Sequence, residues 1–184
     1  MAWPSTGTGA DPGKPVIAMR RRLPREVVML VWSAGVLGAH ALLPVALARR
    51  SHRTGAQPHR AARLAGVGCL VAGTLGLAWS LAQHFEAAPE RRLKVATLEP
   101  EYLLRAGPYR FSRNPMYVSE VVIWAGWTLL FANPLLATLT GVFAVALKRA
   151  ASLEEAALAA RFGVEWREYA ARTPRWIGIA GRSK

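Results

Sequence analysis

The stretch RNPMYVSEVVIWAGWTLLFANP, residues 113–134, sets the architecture of this chain. Asn114 suits a helix cap and Pro115 suits the first helical position, where its missing N–H costs nothing. From Met116 to Phe131 the run is mostly apolar and Glu120 is its one charge. Asn133-Pro134 then stops this helix and restarts another by the same chemistry. The turn carries no charge, so the spacing predicts a tight hairpin of two membrane spans, helices 115–132 and 134–162. The second helix is apolar only over Pro134–Leu147, and Lys148 and Arg149 mark the membrane edge. Nothing breaks it before Gly163, which predicts a long helix whose C-terminal half leaves the bilayer.

Two further apolar runs lie upstream. Val27–Ala48 is 22 residues without a charge, about 33 Å as a helix and enough to cross a bilayer core. Ala46-Leu47-Ala48 resembles a signal cleavage site, but the run is longer than the usual apolar region of a signal peptide. Leu64–Phe85 is the other run. Within it Gly68, Ala72, Gly76 and Ser80 recur every four residues, a smooth ridge for close helix contact within one chain or between two. Cys69 reads as a small packing residue, and His84 as a solvated or interfacial group. Residues 1–24 begin with a Gly/Pro/Ser/Thr-rich segment and read as a mobile tail. The remainder, 25–184, reads as a single membrane-embedded domain. The expected fold is therefore an all-α integral membrane protein of about four transmembrane helices (27–48, 64–85, 115–132 and 134–162), the last extending into the cytoplasm. An interfacial C-terminal segment follows, in which Trp166, Tyr169 and Trp176 alternate with Arg167, Arg172 and Arg175, a mixture suited to the headgroup layer.

Composition agrees. The 184 residues are 52% hydrophobic yet carry a net charge of +13, with a mean hydropathy of +0.17 and a pI near 11.3. A disordered basic tail is not this apolar, and an ordinary soluble domain is rarely this basic. The conflict resolves when apolar and basic residues occupy separate blocks, which argues against nucleic acid as the partner and for anionic membrane lipids. A single cysteine excludes an intrachain disulfide and a cysteine-based zinc site.

Basic residues also give an orientation. Lys and Arg number 5 before the first span, 5 in 49–63, 6 in 86–115, none in the hairpin turn and 8 from Lys148 onward. The positive-inside rule then puts both termini in the cytoplasm. The 49–63 loop violates that rule: either it is an exception, or one of the first two spans does not fully cross.

Three groups of residues have chemical potential. Glu120 lies one turn into a span; it either faces a partner or wet cavity, or sits harmlessly at interface depth. Glu154-Glu155 has no base three or four residues away, so on a helix the pair needs a cation from elsewhere. Arg110, Arg113 or a cationic ligand are the candidates, with a solvated acidic face as the plain alternative. The segment Gly107–Tyr117 brings two arginines and two tyrosines to a helix N-terminus, where backbone N–H groups favour an anion. A headgroup anchor has the same composition.

Taken in order, these segments resemble the integral-membrane isoprenylcysteine carboxyl methyltransferase and phospholipid methyltransferase superfamily. The resemblance rests on Leu104-x-x-Gly107-Pro108-Tyr109-Arg110, Arg113-Asn114-Pro115-x-Tyr117, Glu154-Glu155, Phe162-Gly163-x-x-Trp166-x-x-Tyr169 and Pro174-Arg175-Trp176. Each motif is short, but the ordered set over 104–178 is specific. Asn114 stands where the superfamily often has His, and Ser119 where it often has Gly. Asn cannot titrate, so no proton-transfer role carries over from that position.

The resemblance implies methyl transfer from S-adenosylmethionine to a lipophilic small-molecule or lipid acceptor. It places Tyr109, Arg110, Arg113, Asn114, Pro115, Met116, Tyr117, Glu154 and Glu155 around the cofactor. An Arg fork suits the cofactor's carboxylate, and a carboxylate its ammonium. Arg175 is implied on the acceptor side. A carboxylate acceptor would use an arginine, whereas an amine would need a base, with Glu120 or the Glu154-Glu155 pair available. The competing reading is a non-catalytic membrane scaffold that keeps the fold. A transporter fits less well, because four spans with little buried charge and no internal repeat offer no translocation path. Neither the acceptor's identity nor the oligomeric state is legible in these residues.

Overall fold

The computed structural model describes Gly35 and residues 38–50, 58–87 and 102–178. The expected mobile tail, most of the first half of span 27–48, and the middle of both basic connectors lie outside the described residues. Within them the chain is helical and forms no strand. A π-helical turn, Gly38–Leu42, leads directly into α1, Leu43–Arg50. The irregular turn precedes Pro44, whose ring and missing N–H interrupt an α-helical ladder. Then come α2 (Arg60–Ala87), a short 3-10 turn (Gly107–Arg110), α3 (Pro115–Phe131), α4 (Pro134–Phe162) and α5 (Val164–Arg172).

The predicted hairpin is present. Ala132 adopts a left-handed conformation (φ 46°) that ends α3. The Asn133 side-chain oxygen then accepts from the Leu135 and Leu136 amides at 2.9 and 3.2 Å, capping α4. Asn114 behaves differently: its side chain makes no capping bond to α3, because it is used elsewhere.

α2 and α3 pack backbone to backbone. A Cβ on Gly66 would sit 2.9 Å from the Gly126 carbonyl oxygen, and one on Gly73 2.8 Å from that of Ser119. The contact stripe is Gly66, Leu70, Gly73, Leu77 and Ser80, alternating steps of four and three. This corrects half of the expected four-residue ridge: a Cβ on Gly76 would lie 2.6 Å from Ser119 Oγ and Ser80 is buried, whereas Gly68 and Ala72 are exposed, and nothing approaches Gly68 within 4 Å. A strict four-residue step overshoots the 3.6-residue turn and rotates off the contact face, whereas a 3.5-residue average stays on it.

α2 (over Arg60–His84) and α4 are long and apolar enough to cross a membrane; α3 is apolar but shorter. In the most apolar windows of α2 and α4 only 22% and 11% is buried, so these are not core helices of a soluble fold. Leu64, Val67, Val71, Leu75 and Trp79 present one exposed apolar face of α2, the face a bilayer would cover. At the hairpin end a small core of Ala48, Trp124 and Leu136 ties α1 to α3 and α4, and the Trp127 indole N–H donates to the His40 carbonyl at 2.6 Å.

Candidate functional site

Opposite the hairpin tip, the end of α2, the start of α3, the far half of α4 and the C-terminal segment converge. The 3-10 turn is seated on the end of α2. Gly107 has φ 56°, and a Cβ there would lie 2.8 Å from the Gln83 side chain, so glycine meets both the conformational and the spatial demand. His84 sits between two tyrosines, Nδ1 2.9 Å from the Tyr102 hydroxyl and Nε2 2.9 Å from the Tyr109 hydroxyl. Of the two expectations for His84, solvated or interfacial, the solvated one is corrected here: the ring ties α2 to the segment carrying the Tyr109-Arg110 motif. The Tyr169 hydroxyl donates to the Tyr109 carbonyl at 2.7 Å. Burial pushes both the Tyr109 and Tyr169 hydroxyls well above the ordinary tyrosine range, so both act as neutral hydrogen-bonding groups.

After α5, residues 174–178 return as a strap across 111–113. The Arg113 amide donates to the Pro174 carbonyl at 2.9 Å, and the Gly178 amide to that of Phe111 at 3.2 Å. The strap brings Arg175 onto Glu155. Its Nε is 3.1 Å from each carboxylate oxygen and its Nη2 2.7 Å from Oε2. Asn114 Nδ2 donates to Glu155 Oε1 at 2.9 Å and to the Arg175 carbonyl at 3.1 Å. Arg113 Nη1 lies 3.4 Å from Glu155 Oε2, with its guanidinium 5.6 Å from the Trp166 ring centre. Ser112 Oγ accepts from the Asn114 amide at 3.0 Å and reaches the Arg175 carbonyl at 3.3 Å. Glu155 is thus a buried carboxylate neutralised by the protein's own cations, an arrangement that locks strap, α3 entrance and α4 together.

The two adjacent glutamates therefore differ. Glu154 is exposed and accepts one hydrogen bond, from the Tyr117 hydroxyl at 3.0 Å. Of the two arginines considered as partners for the pair, Arg113 makes contact, whereas Arg110 is exposed and makes no ion pair among the described residues. Arg113 Nε is buried without a hydrogen-bond partner. Pro115 is buried at the first position of α3, and Met116 beside it is half-buried. Glu120 is half-buried one turn further on, with no hydrogen bond or ion pair to a described residue. Trp166 and Tyr169, expected in the headgroup layer, are instead buried in protein.

Beside Tyr117 lies a cavity of about 400 Å³. Tyr117, Val118, Val121 and Val122 of α3 form one wall, Ala144, Leu147 and Lys148 of α4 another, and Trp176 and Ile177 of the strap a third. It is nearly all apolar and falls within the usual size range of small-molecule sites. Glu120 is not among its lining residues. Sequence reasoning missed the linking role of His84, the residues Tyr102 and Ser112, and the cavity role of Lys148 and Ile177. Lys148 had a signal as the first charge after an apolar run, but that signal marked a membrane edge rather than a site.

The family model for phospholipid methyltransferase matches residues 62–165. The chain belongs to the phospholipid methyltransferase family. No curated protein and no solved structure matches it. The family match starts at α2, so that helix is part of the family unit and not a generic span, although its sequence carries none of the motifs. It ends at the second residue of α5, leaving the strap with Arg175 and Ile177 beyond it. At family level the protein is a membrane methyltransferase.

Proposed function

We propose that the protein transfers a methyl group from S-adenosylmethionine to a membrane-associated lipophilic acceptor, a carboxylate or an amine, at the cytoplasmic interface. Four helices cross the bilayer in this reading, with both termini in the cytoplasm and basic loops against anionic lipid. One observation carries it. Three separated parts of the methyltransferase signature, Arg113-Asn114, Glu154-Glu155 and Arg175, meet at one place beside an apolar cavity.

The residues there fit the cofactor's amino-acid end. Glu154 offers an exposed carboxylate to an ammonium, and the Tyr117 hydroxyl orients it. The buried, unpartnered Arg113 Nε offers a donor to a carboxylate, and α3 begins without a side-chain cap, so its first-turn amides add to the attraction. When bound, the cofactor supplies a methyl carbon activated by a sulfonium, which departs as a neutral thioether. The protein's own part is then positioning: hold both reactants in line and keep water from the reacting atoms. Glu155 serves this indirectly, since it is saturated by Arg113, Asn114 and Arg175 and keeps them in place.

Calorimetric titration of S-adenosylmethionine into the purified protein, with Glu154→Gln as comparison, tests the proposal. Binding that weakens by about tenfold or more in the variant, with unchanged thermal stability, is the expected result. A folded wild type that binds nothing, with lipid present, refutes the reading and leaves a non-catalytic membrane subunit of the same fold.

A further inference from the structure

We propose that His84 is a positioning residue for the cofactor site: its neutral ring seats the Tyr109-Arg110 turn and its protonation unseats it, so that cofactor binding strengthens as pH rises through the histidine range. That role deepens the proposed function and rests on it. None of the ordered motifs contains His84, yet it holds the turn that carries one of them. The turn is fixed at three points. Gly107 sits against the Gln83 side chain, the Tyr169 hydroxyl holds the Tyr109 carbonyl, and His84 Nε2 holds the Tyr109 hydroxyl at 2.9 Å. Of these three contacts, the last alone involves a group that changes charge near neutral pH.

Proton positions decide what that change does. Tyr109 is buried, and its hydroxyl has no other hydrogen bond to a described residue. Its proton therefore goes to Nε2, which leaves the imidazole proton on Nδ1, aimed at the half-buried Tyr102 hydroxyl 2.9 Å away. An imidazolium donates from both nitrogens. Nε2 then stops accepting, and the Tyr109 hydroxyl must turn its proton toward surroundings from which water is largely excluded. Among the described residues no counter-charge supports the protonated ring. Tyr102 and Tyr109 are the titratable groups in contact with it, and both are neutral phenols. On the same helix Glu86 accepts from the Gln83 amide at 2.7 Å. To this part of α2 the facing helix α3 presents Ser119, whose hydroxyl donates to the Pro115 carbonyl. His84 makes no ion pair among the described residues.

The clamped tyrosine stands close to the cofactor's place. After burial, the charge of Glu154 is the largest influence holding the Tyr109 hydroxyl above the ordinary tyrosine range. The carboxylate offered to the cofactor's ammonium therefore lies within electrostatic reach of Tyr109. The chain beyond it is continuous with the site. The Phe111 and Ser112 amides close the turn on the Pro108 carbonyl at 3.1 and 3.2 Å, and Arg113 and Asn114 then enter the Glu155 network. A turn that shifts at Tyr109 shifts the approach of Arg113 and Asn114 with it.

Calorimetric titration of S-adenosylmethionine into the full chain in detergent, between about pH 5 and about pH 8, compares wild type with His84→Gln and His84→Phe. Glutamine offers a donor and an acceptor that do not titrate, whereas phenylalanine keeps a ring and loses both bonds. Glu154, whose carboxyl is pushed up by desolvation, and the cofactor's amino group titrate alike in all three proteins. The difference between the curves therefore belongs to His84. Wild-type affinity is expected to fall about tenfold further than that of His84→Gln across this range, from high pH to low, while His84→Phe binds weakly throughout. Parallel curves for wild type and His84→Gln overturn the proposal and leave the methyl-transfer reading standing. Amide hydrogen exchange over residues 109–112, corrected for the intrinsic pH dependence of exchange, is read on the same samples without cofactor. It should quicken at low pH in wild type and not in His84→Gln; equal behaviour again overturns the proposal. Exchange that responds to His84 in a protein that binds no cofactor at any pH sinks the methyl-transfer reading and the cofactor role with it, leaving the histidine clamp standing.

Discussion

Glu154 and Glu155 are neighbours in sequence with opposite structural roles, and replacing each by glutamine separates them. Glu155 accepts from Arg175 and Asn114 and lies 3.4 Å from Arg113. Glu155→Gln keeps an oxygen for Asn114 but removes the charge that balances two guanidinium groups. Removing one partner of a buried ion pair costs about 3–5 kcal/mol. The Arg175 side chain is 37% exposed and that of Arg113 16%. Water can therefore compensate Arg175 in part, which puts the expected loss near the lower bound, about 3 kcal/mol. At about 2–4 °C per kcal/mol for a chain of this size, the midpoint should fall by roughly 6–12 °C. Glu154→Gln keeps an oxygen for the Tyr117 hydroxyl and removes only a charge at an exposed site, so its midpoint should move by no more than about 2–4 °C. Thermal unfolding followed by circular dichroism in detergent measures both. In the double variant Glu155→Gln/Arg175→Gln the loss should be smaller than the sum of the single losses. If the two single glutamate variants unfold within about 1 °C of each other, the network lacks the energetic weight argued for it.

Three other outcomes test the packing. Gly66→Ala places a methyl 2.9 Å from the Gly126 carbonyl and the Leu130 amide nitrogen, and should cost about 1–3 kcal/mol, whereas Gly68→Ala should be neutral or slightly stabilising; similar unfolding midpoints for the two would contradict the contact stripe. Asn133→Ala removes two capping bonds to α4 and should lower stability by about 1 kcal/mol, read as a midpoint shift in the same assay. Tyr169→Phe leaves the Tyr109 carbonyl without its donor and should lose about 1–3 kcal/mol; a midpoint equal to wild type would show that this bond adds nothing to seating the motif turn.

The boundaries of α3 and α4 were legible because their causes are local, whereas α2 runs from Arg60 to Ala87 rather than over the expected 64–85 and α1 continues to Arg50 past the expected 48. Pro134–Phe162 has the predicted limits and α3 ends one residue before its predicted limit, since cap, proline and apolar run length act within a few residues. The contact face of α2 was less legible. Several registers of small residues coexist on that helix, and only the neighbouring backbone of α3 selects among them. Asn114 shows the same limit from another side. At a helix start its local preference is to cap, yet a buried carboxylate on α4 and a strap carbonyl claim its amide group.

Length, charge blocks, the uncharged Asn-Pro hairpin and the ordered motifs are properties of the linear chain, and they were enough to place it in an all-helical membrane methyltransferase family. The division of labour within Glu154-Glu155 was not in the chain order. Both acids lack a basic neighbour along the helix, and which one is neutralised depends on partners 20 and 41 residues away that only the folded strap and α3 entrance bring within reach. The same holds for His84, whose two tyrosines lie 18 and 25 residues off, and for the cavity, which needs three separate elements to enclose it. Short-range energetics decide where helices start and stop; the site exists only where long-range closure sets distant side chains in contact.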